Sequence, residues 1–243
     1  MSKKLVPLLQ RLVLKVIRPA SERVSRLAFL WLWKHREYLS RQWLFETVAG
    51  FVNDCRIDGA YLEFGCGNGS SLIDMFQSIK RYPRLVDMRF FIFDSFEGLP
   101  TPIGIDADEL QRYQRGEFAC DLDQYMRNVE RGDVDLRRVR CIAGWYDRTL
   151  TTELKSELQI QMASIILIDC DLYESTVPVL NFITKYIQTG TILIFDDWYS
   201  YKGRLDRGEA KAFAEWLGRN PHIHAEEYHR CGRTMMSFVL QVN

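Results

Sequence analysis

Aspartates follow two apolar stretches in the second half of the chain. Asp169 and Asp171 come after residues 163–168, and Asp196 and Asp197 come directly after residues 190–195. If these stretches are neighbouring strands, Asp169 faces the aspartate pair across the end of a sheet. Clustered carboxylates repel one another, and oxygen-only ligands favour magnesium, calcium or manganese. We therefore predict a cation site at Asp169, Asp196 and Asp197. The alternative is that Asp171 or Asp197 caps the next helix, a role that we expect of Asp171.

A glycine-rich loop, EFGCGNGSS, follows an earlier apolar run. Glycines permit a tight turn and let a ligand approach the backbone closely. Asp94, at the end of the next apolar run, is placed to accept both hydroxyls of a ribose. The third glycine comes one residue too early for the dinucleotide pattern G-x-G-x-x-G, so the spacing suits S-adenosylmethionine better. The loop supplies these candidate cofactor-binding residues: Glu63, Gly65, Gly67, Gly69 and Ser70.

Short apolar runs alternate with amphipathic stretches from residue 59 onwards, which predicts an α/β fold. The expected architecture is a doubly wound, mostly parallel sheet with helices on both faces and a C-terminal antiparallel hairpin. Predicted strands lie at 60–64, 88–94, 138–144, 163–169 and 190–197, and the hairpin spans 222–242. We expect helices around 70–80, 118–130, 149–158, 174–187 and 208–218. Residues 97–117 are irregular and long enough to form a lid or binding segment.

The N-terminal part differs in texture, which predicts two parts: a helical extension over 1–58 and a catalytic domain over 59–243. Its first helix is basic and amphipathic, but polar residues interrupt it too often for it to span a bilayer, and we expect no membrane association. The tryptophans Trp31, Trp33 and Trp43 offer an apolar surface for a homodimer. The 32 basic residues balance the 32 acidic ones, which argues against a nucleic-acid partner. Six scattered cysteines and no signal peptide predict a cytoplasmic protein.

In its motifs, the chain resembles the macrocin-type sugar O-methyltransferases over roughly residues 59–240. The resemblance rests on FGCGNGSS, FDSFEGLP, GWYDRTL, IDCDLYEST, GTILIFDDW and GEAKAFAEW. It implies a class I methyltransferase (Rossmann-like) fold, S-adenosyl-L-methionine as cofactor, and Mg2+ held by Asp169, Asp196 and Asp197. It also implies that Asp94 binds the ribose with Ser95 nearby. Gly144 and Trp145 fall near the expected adenine pocket. Cys170 and Trp198 replace a glycine and a tyrosine that are usual in the family, which leaves the acceptor open.

The implied reaction is methyl transfer to a hydroxyl of a glycan or small-molecule acceptor with vicinal hydroxyls. We expect Asp169 to take the proton while also holding the metal, with His229 or His224 as alternatives. Asp169 is also a candidate cofactor-binding residue. Residues 198–201 are predicted to begin the acceptor wall. A catechol-like or other phenolic acceptor, gripped by Trp198, Tyr199 and Tyr201, is one alternative. A non-catalytic adenosylmethionine-binding module is another.

Overall fold

The computed structural model describes residues 36–107 and 113–243. The chain separates into two compact units, Met1–Arg41 and Gln42–Asn243, and the second contains the whole sheet. Helix α1 (Arg36–Asp54) crosses this division. The predicted N-terminal amphipathic helix, Trp31 and Trp33 lie outside the described residues. The boundary between residues 58 and 59, the homodimer and the cytoplasmic location stay predictions. Within the described ranges, no helix is long and apolar enough to cross a membrane.

Seven strands form one sheet in the order β3-β2-β1-β4-β5-β7-β6. The first five strands run parallel, and β7 lies antiparallel to both β5 and β6. This arrangement confirms the predicted mostly parallel, doubly wound sheet with a C-terminal antiparallel hairpin. The strands are β1 (Ala60–Phe64), β2 (Phe90–Asp94), β3 (Val139–Ala143), β4 (Ala163–Ile168), β5 (Ile192–Phe195), β6 (Ile223–Cys231) and β7 (Met235–Val242).

Helices connect the parallel strands, as a right-handed crossover requires. They are α2 (Ser70–Ile79), α3 (Leu122–Arg131), α4 (Tyr146–Thr149), α5 (Thr152–Glu157), α6 (Tyr173–Ile183) and α7 (Gly208–Arg219). The helix predicted around 149–158 corresponds to α5, whereas α4, which precedes it, was not predicted. The two helices are separate because Thr151 is the N-cap of α5, and its side chain accepts a hydrogen bond from the Leu154 N–H.

Two apolar cores cover the two faces of the sheet. Successive residues of a strand point to opposite faces, so Tyr61 of β1 contributes to one core and Leu62 to the other. Helices α1, α2 and α3 close the first core, and α6 and α7 close the second. Full burial of each large apolar side chain stabilises the fold by about 1.5–3 kcal/mol. Covering on both faces explains why the central strands read as continuous apolar runs.

The register of the sheet aligns the carboxyl ends of the four central strands. Their final paired row consists of Phe64, Phe93, Ile168 and Phe195. The next residue of each strand therefore emerges at the same edge. These residues are Gly65, Asp94, Asp169 and Asp196. The four strands end at the same level of the sheet. This brings together a glycine loop and three carboxylates that are up to 131 residues apart in the chain.

Candidate active site

A cavity of about 1230 Å³ lies at this edge of the sheet. One part of its wall comes from the tips of β1, β2 and β3. Six of the predicted cofactor-binding residues line this part: Gly65, Gly67, Asp94, Ser95, Gly144 and Trp145. Ligands of doubly wound sheets bind where the strand order reverses, which here is between β1 and β4.

Gly65 is required where the loop leaves β1. Its φ is +83°, and a Cβ placed there would lie 1.8 Å from the carbonyl oxygen of Asp169. No side chain fits that gap, so the β1 and β4 tips approach as closely as they do only because this residue is glycine.

Asp94 fastens the glycine loop to β2. One of its carboxylate oxygens accepts a hydrogen bond from the Cys66 N–H, and the other accepts one from the Phe96 N–H, both at 2.7 Å. The carboxylate is therefore fixed on the cavity wall. The oxygen that accepts from Cys66 keeps a second lone pair that is able to accept a hydroxyl of a ligand, while the Ser95 hydroxyl lies 3.5 Å from the other oxygen.

Asp169, a seventh predicted cofactor residue, also lines the cavity, whereas the other three, Glu63, Gly69 and Ser70, do not. Glu63 is fully buried beneath the loop, where it accepts hydrogen bonds from the Tyr61 hydroxyl, at 2.8 Å, and from the Ser71 hydroxyl. The alternation along β1 turns this side chain towards α2. The contact between Glu63 and a cofactor stays a prediction.

Four aspartates line the opposite part of the cavity. Asp169, Asp171 and Asp197 each offer one carboxylate oxygen, and these oxygens lie within 4.8 Å of one another. Burial, followed by the charges of Asp196, Asp197 and Asp171, raises the pKa of the Asp169 carboxyl well above its ordinary value. Burial and the charge of Asp197 likewise raise the pKa of Asp171. The carboxylates of the cluster repel one another, as predicted from the sequence. The cluster differs from the predicted cation site in that it includes Asp171.

The expectation that Asp171 caps the next helix is wrong. Helix α6 has Leu172 as its N-cap residue, without a side-chain cap, and Asp171 sits with φ at +58° and its side chain in the carboxylate cluster. The first N–H groups of α6, those of Tyr173 and Glu174, donate instead to the two oxygens of Asp106, at 2.9 and 3.0 Å. Asp106 comes from the irregular segment 97–117. That segment therefore lines the cavity and also anchors α6.

Glu209, in the first turn of α7, joins the two aspartate-bearing segments. It is fully buried and accepts hydrogen bonds from the backbone N–H groups of Cys170, at 3.2 Å, and Asp197, at 2.9 Å. Burial and the charge of Asp197 raise the pKa of Glu209 well above its ordinary value. One carboxylate thus sets the spacing between the segment that follows β4 and the one that follows β5.

The Asp197 carboxylate is held by two hydroxyls. Ser200 donates a hydrogen bond to it, and Tyr113 donates a second at 3.3 Å. Tyr113 packs on Tyr201, whose hydroxyl donates to Asp106 at 3.2 Å. These contacts orient Asp197 before any ligand binds.

The donor set fits a divalent cation. Carboxylate oxygens are the ligands that Mg2+ and Ca2+ prefer, and oxygens on opposite sides of such ions lie about 4–5 Å apart. The separation within 4.8 Å is of this size. A cation would also offset the mutual repulsion that raises the pKa values.

The histidines predicted as alternative bases lie elsewhere. The His229 ring packs against Trp43, with the ring centroids 5.1 Å apart, and neither His229 nor His224 lines the cavity. Both lie on β6, the outermost strand, two strands from the tip of β5. Neither histidine shares the cavity with the carboxylates, and the role of Asp169 as the base stays a prediction.

The acceptor wall predicted at 198–201 also lies elsewhere. Trp198 packs on Phe195 and Phe238, with ring centroids 5.1 and 4.9 Å apart, and none of residues 198–201 lines the cavity. The tryptophan instead belongs to the apolar core beneath α7.

Sequence reasoning missed Asp106, Tyr113 and Glu209. Each acts through partners distant in the chain, so no local spacing marks it. Glu209 offers one weak signal, because it is an acidic residue at the start of an otherwise apolar helix face. Asp106 and Tyr113 lie in an irregular segment without periodicity.

The strand order, the glycine loop and the acidic residues at the strand tips together define a class I methyltransferase fold. The chain belongs to the Macrocin-O-methyltransferase (TylF) family, whose model matches residues 40–211.

Curated relatives and a solved structure agree with this assignment. The chain is 30% identical over 162 residues to 8-demethyl-8-(2,3-dimethoxy-alpha-L-rhamnosyl)-tetracenomycin-C 4'-O-methyltransferase of Streptomyces olivaceus, covering 61% of this chain. It is 27% identical over 161 residues to demethyldecarbamoylnovobiocin O-methyltransferase of Streptomyces niveus, covering 63% of this chain. Each match spans 59% of the relative's length. A crystal structure of calicheamicin methyltransferase superposes with a TM-score of 0.68 at 25% identity, covering 98% of this chain and 93% of that one.

Proposed function

We propose that the protein transfers a methyl group from S-adenosylmethionine to a hydroxyl of a sugar in a glycosylated natural product, with Mg2+ at the carboxylate cluster. The observation that carries this proposal is a single cavity lined both by the glycine loop with Asp94 and by Asp169, Asp171, Asp196 and Asp197. A cofactor site and a cation site that share one cavity would place a methyl donor beside a hydroxyl-binding ion. One relative named above carries a rhamnosyl tetracenomycin in its name as the molecule that it methylates, which supports a sugar acceptor.

The chain's own residues supply binding, orientation and a proton acceptor. Asp94 and the backbone at Gly65 and Gly67 bind the cofactor, and Trp145 lies on the same wall. When bound, S-adenosylmethionine supplies an electrophilic methyl group, and Mg2+ lowers the pKa of a hydroxyl in contact with it.

The cation would be held by Asp169, Asp171 and Asp197, with Asp196 beside them. Asp197 is oriented by its hydroxyl partners, which limits the rearrangement needed on binding. Asp169, which lines the cavity between the two parts of its wall, is the carboxylate that we propose to accept the hydroxyl proton.

The test is a methyl-transfer assay with labelled S-adenosylmethionine and a panel of natural-product glycosides. We expect EDTA to abolish transfer and Mg2+ to restore it. Asp196→Asn should lose most turnover and still bind S-adenosylmethionine in calorimetry. Activity that survives chelation would exclude the metal. Cofactor binding without transfer to any glycoside would exclude the sugar acceptor and favour a non-catalytic binding module.

The phenolic alternative has no supporting observation in the described residues. It relied on Trp198, Tyr199 and Tyr201 to grip a planar acceptor, and none of the three lines the cavity.

A further inference from the structure

Segment 97–117 packs on the strand tips through a small apolar cluster. Its residues Leu99 and Tyr113 meet Leu172 and Tyr201 there, apart from the two main cores. Leu172 comes shortly after β4 and Tyr201 shortly after β5. Small clusters of this kind commonly lie beneath long loops. The described part of the segment is therefore attached to the same edge of the sheet that carries the aspartates.

Two tyrosine hydroxyls add polar contacts beside this apolar cluster. The Tyr201 hydroxyl donates to Asp106 at 3.2 Å, and the Tyr113 hydroxyl donates to Oδ1 of Asp197 at 3.3 Å. The two rings contact each other, with their centroids 6.1 Å apart. Asp106 and Tyr113 both belong to the segment, and both are buried. The segment thus accepts one hydrogen bond from the strand-tip side and donates another to it.

Tyr113 reaches two members of the carboxylate cluster. Besides its bond to Asp197, its side chain forms a hydrogen bond with Asp171. Ser200 donates to the same oxygen of Asp197, Oδ1, as Tyr113 does. Neither hydroxyl occupies Oδ2, which leaves that oxygen for a cation. A carboxylate that is already oriented by a donor loses less rotamer freedom when it binds a metal, and groups that orient metal ligands change metal affinity by about 10–100-fold.

We propose that Tyr113 is a positioning residue of the cation site, and that through it cation binding and the docking of segment 97–117 stabilise each other. This inference rests on the cation of the function proposed above and names the residue that orients two of its ligands. Only a docked segment places the Tyr113 hydroxyl on Asp171 and Asp197. By thermodynamic linkage, if docking raises the affinity for the cation, the bound cation strengthens docking by the same factor.

The test compares Tyr113→Phe with the wild type in calorimetric titrations with Mg2+ and, separately, with S-adenosylmethionine. The variant keeps the ring beside Tyr201 and removes only the hydroxyl. We expect Mg2+ to bind about tenfold more weakly and S-adenosylmethionine to bind as tightly as before. A general loss of structure would weaken both ligands, so the selective loss separates positioning from a merely structural role.

Hydrogen exchange of backbone amides measures the other side of the linkage. The Leu99 N–H donates to the Glu117 carbonyl and the Gly116 N–H donates to the Leu99 carbonyl, so these two amides report whether the base of the segment is closed. In the wild type, saturating Mg2+ should slow their exchange by about tenfold, the factor that reciprocity requires. In Tyr113→Phe, Mg2+ should change the exchange by less than about twofold, because the link between the two sites is lost.

Tyr173→Phe is the matched control. It also removes a hydroxyl that donates to a carboxylate, that of Glu215 at 2.6 Å, but Tyr173 does not line the cavity. This variant should keep the Mg2+ affinity and the segment exchange of the wild type.

The outcomes separate this inference from the proposed function. Equal Mg2+ affinity in the wild type and Tyr113→Phe, equal losses in Tyr113→Phe and Tyr173→Phe, or a loss of S-adenosylmethionine affinity as large as that of Mg2+ would overturn the inference and leave the proposed function standing. Exchange in the wild type that does not respond to bound Mg2+ would also overturn it. No binding of Mg2+ to the wild type would refute the cation of the proposed function and this inference with it.

Discussion

Replacement of Glu209 tests whether one buried carboxylate sets the spacing of the cation site. Glutamate accepts hydrogen bonds from two buried N–H groups, those of Cys170 and Asp197. In Glu209→Gln one oxygen is replaced by an NH2 group, which cannot accept, so one buried N–H loses its partner. Leaving one such donor unsatisfied costs about 1–3 kcal/mol. In Glu209→Ala both donors lose their acceptor, so we expect about 2–5 kcal/mol.

Both substitutions also remove a carboxylate whose charged form is disfavoured by burial, as its raised pKa shows. Removal of this buried charge partly offsets the loss of the hydrogen bonds. We therefore expect the Gln variant to lower the free energy of unfolding by about 1–2 kcal/mol in urea with EDTA present. Loosening the two segments should also weaken Mg2+ binding by about 10–100-fold, the usual effect of removing a group that orients metal ligands. Calorimetric titration of Mg2+ measures this.

Glu226→Gln is the control, because Glu226 lies exposed on β6 and away from the cavity. It should change the free energy of unfolding by less than about 0.5 kcal/mol and leave Mg2+ affinity as it is. If Glu209→Gln binds Mg2+ as tightly as the wild type, the spacing does not depend on this carboxylate and the reasoning is refuted.

Three further predictions concern the same site. Asp171→Asn should weaken Mg2+ binding more than Asp196→Asn, since an Asp171 oxygen belongs to the group within 4.8 Å and no Asp196 oxygen does. If calorimetry gives the reverse order, Asp196 is the metal ligand, as predicted from the sequence, and Asp171 is not. Gly65→Ala should lower the free energy of unfolding by more than about 3 kcal/mol and abolish cofactor binding, because the new Cβ would meet the Asp169 carbonyl. Gly203→Ala is the control, since Gly203 also has a positive φ but lies in open space, and it should cost only about 1 kcal/mol. Without metal, the raised pKa of Asp169 means that the folded state binds more protons than the unfolded one once the pH exceeds the ordinary carboxyl pKa of about 4. Stability should therefore fall as pH rises above that value. A thermal midpoint that rises instead, or an unchanged slope in Asp169→Asn, would contradict this.

The strands were predictable because burial on both faces leaves continuous apolar runs. Strand β1 was predicted with the bounds that the structure has, and β4 was one residue shorter than predicted. The acidic residue after each run then falls at the carboxyl edge, whatever the packing details. The helix predicted around 149–158 begins only at residue 152, because periodicity does not register Thr151 as the capping residue of α5, and the four-residue helix α4 was too short for periodicity to reveal.

Side-chain direction at the strand tips was less predictable. Glu63 reads like a loop residue in sequence, but the alternation along β1 buries it beside Ser71. Asp171 reads like a helix cap, but its positive φ turns the carboxylate into the cluster while Asp106 caps α6. Trp198 follows the aspartate pair directly, but it packs into the core on Phe238.

The sequence by itself determined the sheet, the glycine loop and the concentration of aspartates at one edge, because strand ends and loop types are local properties of the chain. Only the tertiary structure decided which carboxylates lie within reach of one cation and what holds them there. Glu209 meets amides 39 and 12 residues away, and Tyr113 meets Asp197 across 84 residues. Such partners are set by how α7 and the segment 97–117 pack over the strand tips, and no local pattern encodes that packing.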